Sequence, residues 1–465
     1  MNNSPSTMQN TGVPLTLALI LLSVSMAGCL DGEDATIDDD VNFVGIQTGS
    51  DHNCAWTEIG SVICWGMNDV GQLGTGWTQE NWDSDFSLIP SSVSLASDEV
   101  ATQVIVGDGH SCMILSIGYS LCWGDNSHGQ IGDYSTFDSY SPMDVGFDGL
   151  VSVSAIEMGF RHVCSLSNSG LGNSGTVHCW GANDKGQVSS DIGNDQLSPV
   201  LVIDGSQDPI DSLASSPNSR HTCALSQSGN VYCWGGNENG QLGRNSTLNS
   251  ATPIQVEFPN DETMKAIDVN SDNTCSLSED GDLFCWGSNS FGQLGVGTLE
   301  DSLTPVKVQF DSSTIITSFI LSWDHACALD VSNAMYCWGS NDFAQLGDGT
   351  TVSRSRPVEP AIPLGTPAIE IFAEGWRTCA LLADGTLMCW GSNTVGEIGD
   401  GTTASRFIPT KVSLPSDSVV TDFSMQYSHS CVILNSNEIY CWGMNVGRLG
   451  NGEKSDSSVP SRAFP

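Results

Sequence analysis

The tripeptide Cys-Trp-Gly occurs eight times in this 465-residue chain, with its cysteine at positions 64, 122, 179, 233, 285, 337, 389 and 441. Successive intervals are 58, 57 and 54 residues, then 52 for the last four. A unit copied at a near-fixed period folds as a supersecondary module that cannot bury its apolar face alone, so neighbouring copies must stack to close a core. Residues 41–465 are therefore expected to form one domain, although length alone suggests roughly three.

Each copy follows one plan, plainest in the fifth. Asn273-Thr274-Cys275-Ser276-Leu277 leads through Ser278-Glu279-Asp280-Gly281 into Asp282-Leu283-Phe284-Cys285-Trp286-Gly287. An Asp-Gly centre between two alternating runs is a hairpin signal, with the glycine supplying positive φ. A three-residue loop of Glu279, Asp280 and Gly281 then sets Leu277 against Leu283 and Cys275 against Cys285. The tryptophan falls on the other face, where eight indoles pack between adjacent sheets. An apolar run from Met264 to Val269 precedes the hairpin, and Thr304-Pro305-Val306-Lys307-Val308 follows it. Four short strands per copy, repeated radially, predict an all-β fold: a single β-propeller of about eight four-stranded blades. Seven blades with one copy outside the ring is the alternative.

The pattern G-x-x-H-x-C-A-L…G-x-V-x-C-W-G-x-N-x-x-G-Q-L-G-x-G…P-x-x-V runs with variations through every copy from Val41 to Pro465, about nine-tenths of the chain. It resembles the regulator of chromosome condensation repeat family, which implies a β-propeller. Members of that family include a nuclear exchange factor for a small GTPase, secreted inhibitors of β-lactamase and a plant ultraviolet photoreceptor. The resemblance thus implies binding but does not choose the partner. The photoreceptor's Gly-Trp-Arg-His-Thr motif is approached here only by Gly375-Trp376-Arg377-Thr378, without the histidine.

Of the 17 cysteines, 16 fall two per repeat: Cys54 and Cys64, Cys112 and Cys122, Cys164 and Cys179, Cys223 and Cys233, Cys275 and Cys285, Cys327 and Cys337, Cys379 and Cys389, Cys431 and Cys441. The third pair is fifteen positions apart and the others ten. An even count at directly opposed strand positions predicts cross-strand disulfides. The remaining one, Cys29, follows Met26-Ala27-Gly28 at the end of an apolar run from Leu15. That run is too short to span a ~30 Å hydrocarbon core and suits an export signal. Residues 1–28 are expected to be a signal peptide, Cys29 a lipidated residue, and residues 29–40 an acidic tether. The protein is then placed on the extracellular face of the membrane, or secreted, touching the membrane only through lipid.

Net charge is −40, and no Lys or Arg occurs before Arg161. Such a surface repels phosphate, so nucleic acid is not an expected partner. Six of the eight histidines (52, 110, 162, 221, 325 and 429) stand two residues before the first cysteine of a pair. A catalytic group is needed once and a structural one in every blade, so these are expected to serve backbone hydrogen bonding. Gly-Gln-Leu-Gly is a repeated turn, because no Lys or helix start follows it. No catalytic motif, cofactor or metal site is expected, and turns such as Asp348-Gly349-Thr350 and Asp400-Gly401-Thr402 are at most weak calcium sites.

Function is then sought where the repeat breaks: the segments 76–100, 133–150 and 189–209, and the tryptophans outside the repeated column, namely Trp77, Trp82, Trp56, Trp323 and Trp376. The expected function is a monomeric cell-surface or secreted scaffold that binds a protein or glycan through rim loops. The alternatives are a guanine-nucleotide-exchange-type regulator of a GTPase and an extracellular hydrolase.

Overall fold

The computed structural model describes residues 42–76, 85–149, 151–169, 173–363 and 365–464. The leader, the tether and Cys29 lie outside the described residues, as do Trp77 and Trp82. Among the described residues, 32 strands form eight four-stranded antiparallel sheets, each taken from one repeat and paired in simple sequence order. In the fifth blade these are Met264–Asn270, Asn273–Ser278, Leu283–Gly287 and Ser302–Lys307. The first strands of successive blades touch one another around a common axis, and the fourth strands lie outermost. The chain is an eight-bladed β-propeller.

The ring closes without exchanging a strand between its ends. Strand Phe43–Thr48 of blade 1 packs against Val420–Gln426 of blade 8. Ile46 N donates to Asp422 Oδ2 at 2.8 Å and Thr48 N to Ser424 Oγ at 3.0 Å. With this seam closed, no repeat is left outside the ring, which decides for eight blades over seven.

Within a blade the hairpin has the expected register: Leu277 pairs with Leu283 and Cys275 with Cys285, and Ser278 N donates to Asp282 O at 2.9 Å. All eight cysteine pairs are disulfides, with Cα atoms 4.1–4.2 Å apart. Their sulfurs are buried in every blade. Eight such bonds indicate an oxidising environment, because reducing compartments keep thiols free.

The repeated indoles are fully buried, and each packs into the core of the blade before it: Trp286, for example, joins Cys223, Leu225 and Leu242 of blade 4. An indole of this kind removes roughly 150–250 Å² from water, which at about 25 cal/mol/Å² makes it the largest single packing term of a blade. The glycine that follows has φ between 99° and 109° in all eight copies. A Cβ there would run into the carbonyl oxygen of the turn joining the first and second strands. Cysteine staples the hairpin, tryptophan fills the inter-blade gap, and glycine admits the turn, which is why the three recur together.

Every fourth strand carries a proline at the same place: 90, 142, 199, 253, 305, 357, 409 and 460. Proline cannot donate to a further strand, so it blunts the outer edge of each sheet. Three of these strands, Phe86–Ser92, Ser139–Asp144 and Gln196–Ile203, fall inside the segments 76–100, 133–150 and 189–209. Those segments are therefore not loops alone: each holds the edge strand of its blade, whose half-exposed, proline-centred composition hides it among turn residues.

Candidate functional site

The recurring polar groups lock blade to blade. Each indole Nε1–H donates to the backbone carbonyl of the Gly-Gln-Leu-Gly turn one blade earlier, as Trp286 does to Gln241 O at 2.8 Å and Trp338 to Gln293 O at 2.9 Å. At the seam Trp65 reaches Arg448 O at 2.9 Å. The buried asparagine of the same turn accepts from the backbone five residues on, as Asn289 Oδ1 does from Leu294 N at 3.0 Å. The turn is structural throughout the ring.

The histidines bridge blades too, but by a different partner from the one expected. His52 Nε2 lies 2.7 Å from Ser111 Oγ, His162 Nε2 2.8 Å from Thr222 Oγ1, His221 Nε2 3.0 Å from Thr274 Oγ1 and His325 Nε2 2.9 Å from Thr378 Oγ1. In these four the partner is thus a side-chain hydroxyl of the next blade, and for His429 it is Asn53 Oδ1 at 2.6 Å; none is a backbone group. Thr274 and Thr378 spend their own hydroxyl protons on the carbonyls of Gln241 and Gln345. The Nε2–H of His221 and His325 must then be the donor, which in the neutral ring is the Nε2–H tautomer. Burial drives these rings toward neutrality, lowering His52, His221 and His325 to about 3 and His162 to about 4. His110 faces Val163 in the equivalent place, where no hydroxyl exists.

The side chains that do not repeat gather at one end of the axis. There, connections of two to six residues join the first strand of each blade to the second, and each ends on a turn pair: Ser50-Asp51, Asp108-Gly109, Phe160-Arg161, Ser219-Arg220, Ser271-Asp272, Trp323-Asp324, Gly375-Trp376 and Tyr427-Ser428. In all eight blades the carbonyl of the second turn residue accepts from the backbone just past Cys-Trp-Gly, at 2.7–3.0 Å; Asp272 O from Ser288 N and Trp376 O from Ser392 N are two cases. The turn backbone is held alike eight times, while its side chains vary freely.

Over blades 6 to 8 those side chains form an aromatic patch. Trp323 stacks on Tyr427 with ring centroids 5.0 Å apart, and Phe343, from the loop after the third strand of blade 6, stacks on Trp376 at 4.3 Å. Trp376 stands edge-on to Trp323 at 6.2 Å and to Tyr427 at 5.2 Å. Across the mouth, the guanidinium groups of Arg161 and Arg220 each sit 5.0 Å from the Phe160 ring. Between the two sides is a cavity of about 340 Å³ lined by Phe160, Asn218, Arg220, Ser271 and Trp323.

Three carboxylates stand below the mouth on first strands. Burial raises Glu157 to about 8, with help from the charge of Asp268, and raises Asp268 to about 6. Asp268 is braced by the Leu321 N–H at 2.8 Å and the Val269 N–H at 2.9 Å. Burial also raises Glu374 to about 7, opposed by the charge of Arg377. Arg377 takes the histidine's place in blade 7 and is fully buried, donating to Glu397 O, Ser430 Oγ, Gln426 O and His429 O of its own and the next blade. Its charge is spent on the lock.

The structure thus brings Trp323 and Trp376 together and separates Trp56 from them. Trp56 occupies the position that Leu277 holds in blade 5, pairs with Val62 and packs on the blade 1–2 core. The Asp348 and Asp400 carboxylates are taken up by their own Thr350 and Thr402 and by ion pairs to Arg354 and Arg406, which leaves these turns closed around protein groups. Among the described residues no three His, Cys, Asp or Glu side chains come together as a metal-ligand set. Tyr427, Phe343, Phe160, Arg161 and Arg220 escaped notice in the sequence. Apart from Phe343, they stand three or four residues before the first cysteine of a pair, so reading that column down the eight repeats would have grouped them with Trp323 and Trp376.

Comparison with known proteins follows the same lines. A family model described as the RCC1-like domain matches residues 170–412, and models of the regulator of chromosome condensation (RCC1) repeat match residues 60–114 and, separately, 43–72, 101–130 and 420–447. The chain is 30% identical to the ultraviolet-B receptor UVR8 of Arabidopsis thaliana over 375 residues, 79% of this chain and 83% of that protein. It is 26% identical to the E3 ubiquitin-protein ligase HERC2 of Homo sapiens over 68% of this chain, which spans only 6% of that protein. Among solved structures, Prp20p of Saccharomyces cerevisiae, a protein with binding properties toward Gsp1p and histones, superposes with a TM-score of 0.61 at 20% identity, covering 83% of this chain and 91% of that one. That last likeness is one of fold.

Proposed function

The chain belongs to the regulator of chromosome condensation repeat family, and from that premise we propose that it is a non-enzymatic binding scaffold, exported and held at the cell surface by a lipid on Cys29. One observation carries the reading. All eight turns at one mouth share a pinned backbone, whereas their side chains depart from the repeat and place aromatic and charged groups side by side. A rigid frame that displays variable side chains is the arrangement that recognition requires, since little ordering entropy is lost on binding. The partner is a protein or a glycan. Trp77 and Trp82 remain proposed contributors from the rim.

Two variants of the full chain test this: Trp323→Ala with Trp376→Ala, and Trp77→Ala with Trp82→Ala. Captures from the native cell surface should lose their partner by at least tenfold in one or both, with the melting temperature little changed. Retention by both variants refutes the site. Lipidation is tested separately: wild type should fractionate with membrane and Cys29→Ala should not.

The hydrolase reading draws on Glu157 and Asp268, two interacting acids near the axis. Against it, Asp268 is occupied by two backbone N–H groups, and neither acid lines the cavity at the mouth.

A further inference from the structure

The aromatic patch is bordered by carboxylates that have no cation of their own. Asp324 adjoins Trp323 in the blade 6 turn, Asp342 adjoins Phe343, and Asp272 lies in the neighbouring turn of blade 5. Among the described residues, none of the three forms an ion pair, whereas Asp51, in the equivalent turn of blade 1, is paired with Arg448. Their fields overlap: the Asp324 carboxyl is raised first by burial and then by the charges of Asp272 and Asp342. Glu397 adds its negative field at Tyr427. The buried Arg377, next to Trp376 in sequence, is taken up by three carbonyls and Ser430 Oγ, and Arg220 stands across the cavity, on Phe160 and paired with Asp184.

Electron-rich ring faces beside unpaired carboxylates attract an organic cation through both the ring quadrupole and the net charge. A guanidinium suits this place better than an ammonium, because its plane stacks on rings while its edge donates in a fork to a carboxylate. Resting on the reading of this mouth as the binding face, we propose that the Trp323–Trp376–Tyr427–Phe343 patch receives an arginine side chain from an exposed basic segment of a protein partner, with Asp324, Asp342 and Asp272 pairing the charge. The argument for that occupant is charge complementarity: the chain carries 54 acidic and 14 basic side chains, and in this patch four clustered, partly exposed rings stand beside three acids that form no ion pair among the described residues.

The probe is a fluorescein-labelled hexa-arginine peptide titrated against the folded full chain by anisotropy, with hexa-lysine and hexa-glutamate peptides alongside. Saturable binding to hexa-arginine is expected, weaker for hexa-lysine and absent for hexa-glutamate, falling as salt is raised. Trp376→Ala should weaken it at least tenfold, and so should Asp324→Asn with Asp342→Asn, a pair that leaves the rings intact and guards against misfolding of the tryptophan variant. Asp204→Asn with Asp384→Asn, at exposed turns elsewhere, should change it less than twofold. Equal loss in that control pair would mean unspecific attraction to an acidic surface, and indifference to both patch variants would mean binding elsewhere; either overturns the proposal. If surface capture still depends on Trp323 and Trp376 while hexa-arginine fails to bind, the scaffold reading stands and the cationic ligand falls.

Discussion

At the scale of the residue, the same column position does one of two jobs according to what the next blade offers. His325 donates to Thr378, whose hydroxyl passes its proton to Gln345 O, so the imidazole completes a chain of buried polar groups. Removing it leaves a buried hydroxyl oxygen unpaired, which costs about 1–3 kcal/mol. His325→Ala should therefore lower the free energy of unfolding at neutral pH by that amount, read as a fall in the denaturant midpoint, and His325→Gln, which restores an N–H, should recover part of it. A midpoint unmoved by His325→Ala would show the chain of hydrogen bonds to be dispensable. Where the column changes to Arg377, the longer side chain reaches four acceptors at once, because blade 8 presents the carbonyls of Gln426 and His429 as well as Ser430 Oγ, and Glu397 O of its own blade is within reach.

At the scale of the element, the hairpin is the unit that the sequence specifies most tightly. Opposed cysteines, the Asp-Gly turn and the alternating run all set one register in blade 5. The third blade keeps its disulfide although its hairpin is five residues longer, so strand pairing and not loop length places the sulfurs. Closing a ring of eleven residues restricts the unfolded chain by roughly 2.8 kcal/mol on the loop-entropy scale. Cys275→Ala with Cys285→Ala should cost up to that amount in a reversible melt and leave the other blades folded. Mass spectrometry without reductant should find all sixteen repeat cysteines oxidised in within-repeat pairs, and free thiols there would remove the compartment argument.

For the whole molecule, buried titrating groups pull stability in opposite directions with pH. The blade-linking histidines have folded values depressed below 6.5, so their contribution is present above that pH and is lost as the unfolded chain takes up protons on acidification. Glu157, Glu374 and Asp268 have folded values raised above the usual carboxylate range, so theirs is present at low pH and lost as pH climbs toward about 8, 7 and 6 respectively. These four histidines outnumber these three acids, so stability from these groups should rise from about pH 4, peak at about pH 7 and decline until about pH 8, where the last acid has titrated. Glu157→Gln should remove a loss that runs from about pH 4 up to about 8, so that the rise below pH 7 steepens and the decline above it flattens. A melting temperature that is level between pH 5 and 9 would refute the assignment.

The repeat, the blade plan, the disulfide pairs and the buried indoles were all legible in the sequence, because each is enforced locally by strand alternation and a fixed period. Three things were not. The number of blades depended on whether the first and last repeats meet, which Ile46, Asp422, Thr48 and Ser424 decide across some 376 residues. The partners of His52, His162, His221 and His325 lie one blade away, 53–60 residues on, at a distance no local pattern encodes. The patch joins Trp323, Trp376, Tyr427 and Phe343 from three blades into one surface. Sequence spacing sets what a blade is, but only closure of the ring turns three separate turns into neighbours, since proximity around an axis is a property of the circle and not of any stretch of chain.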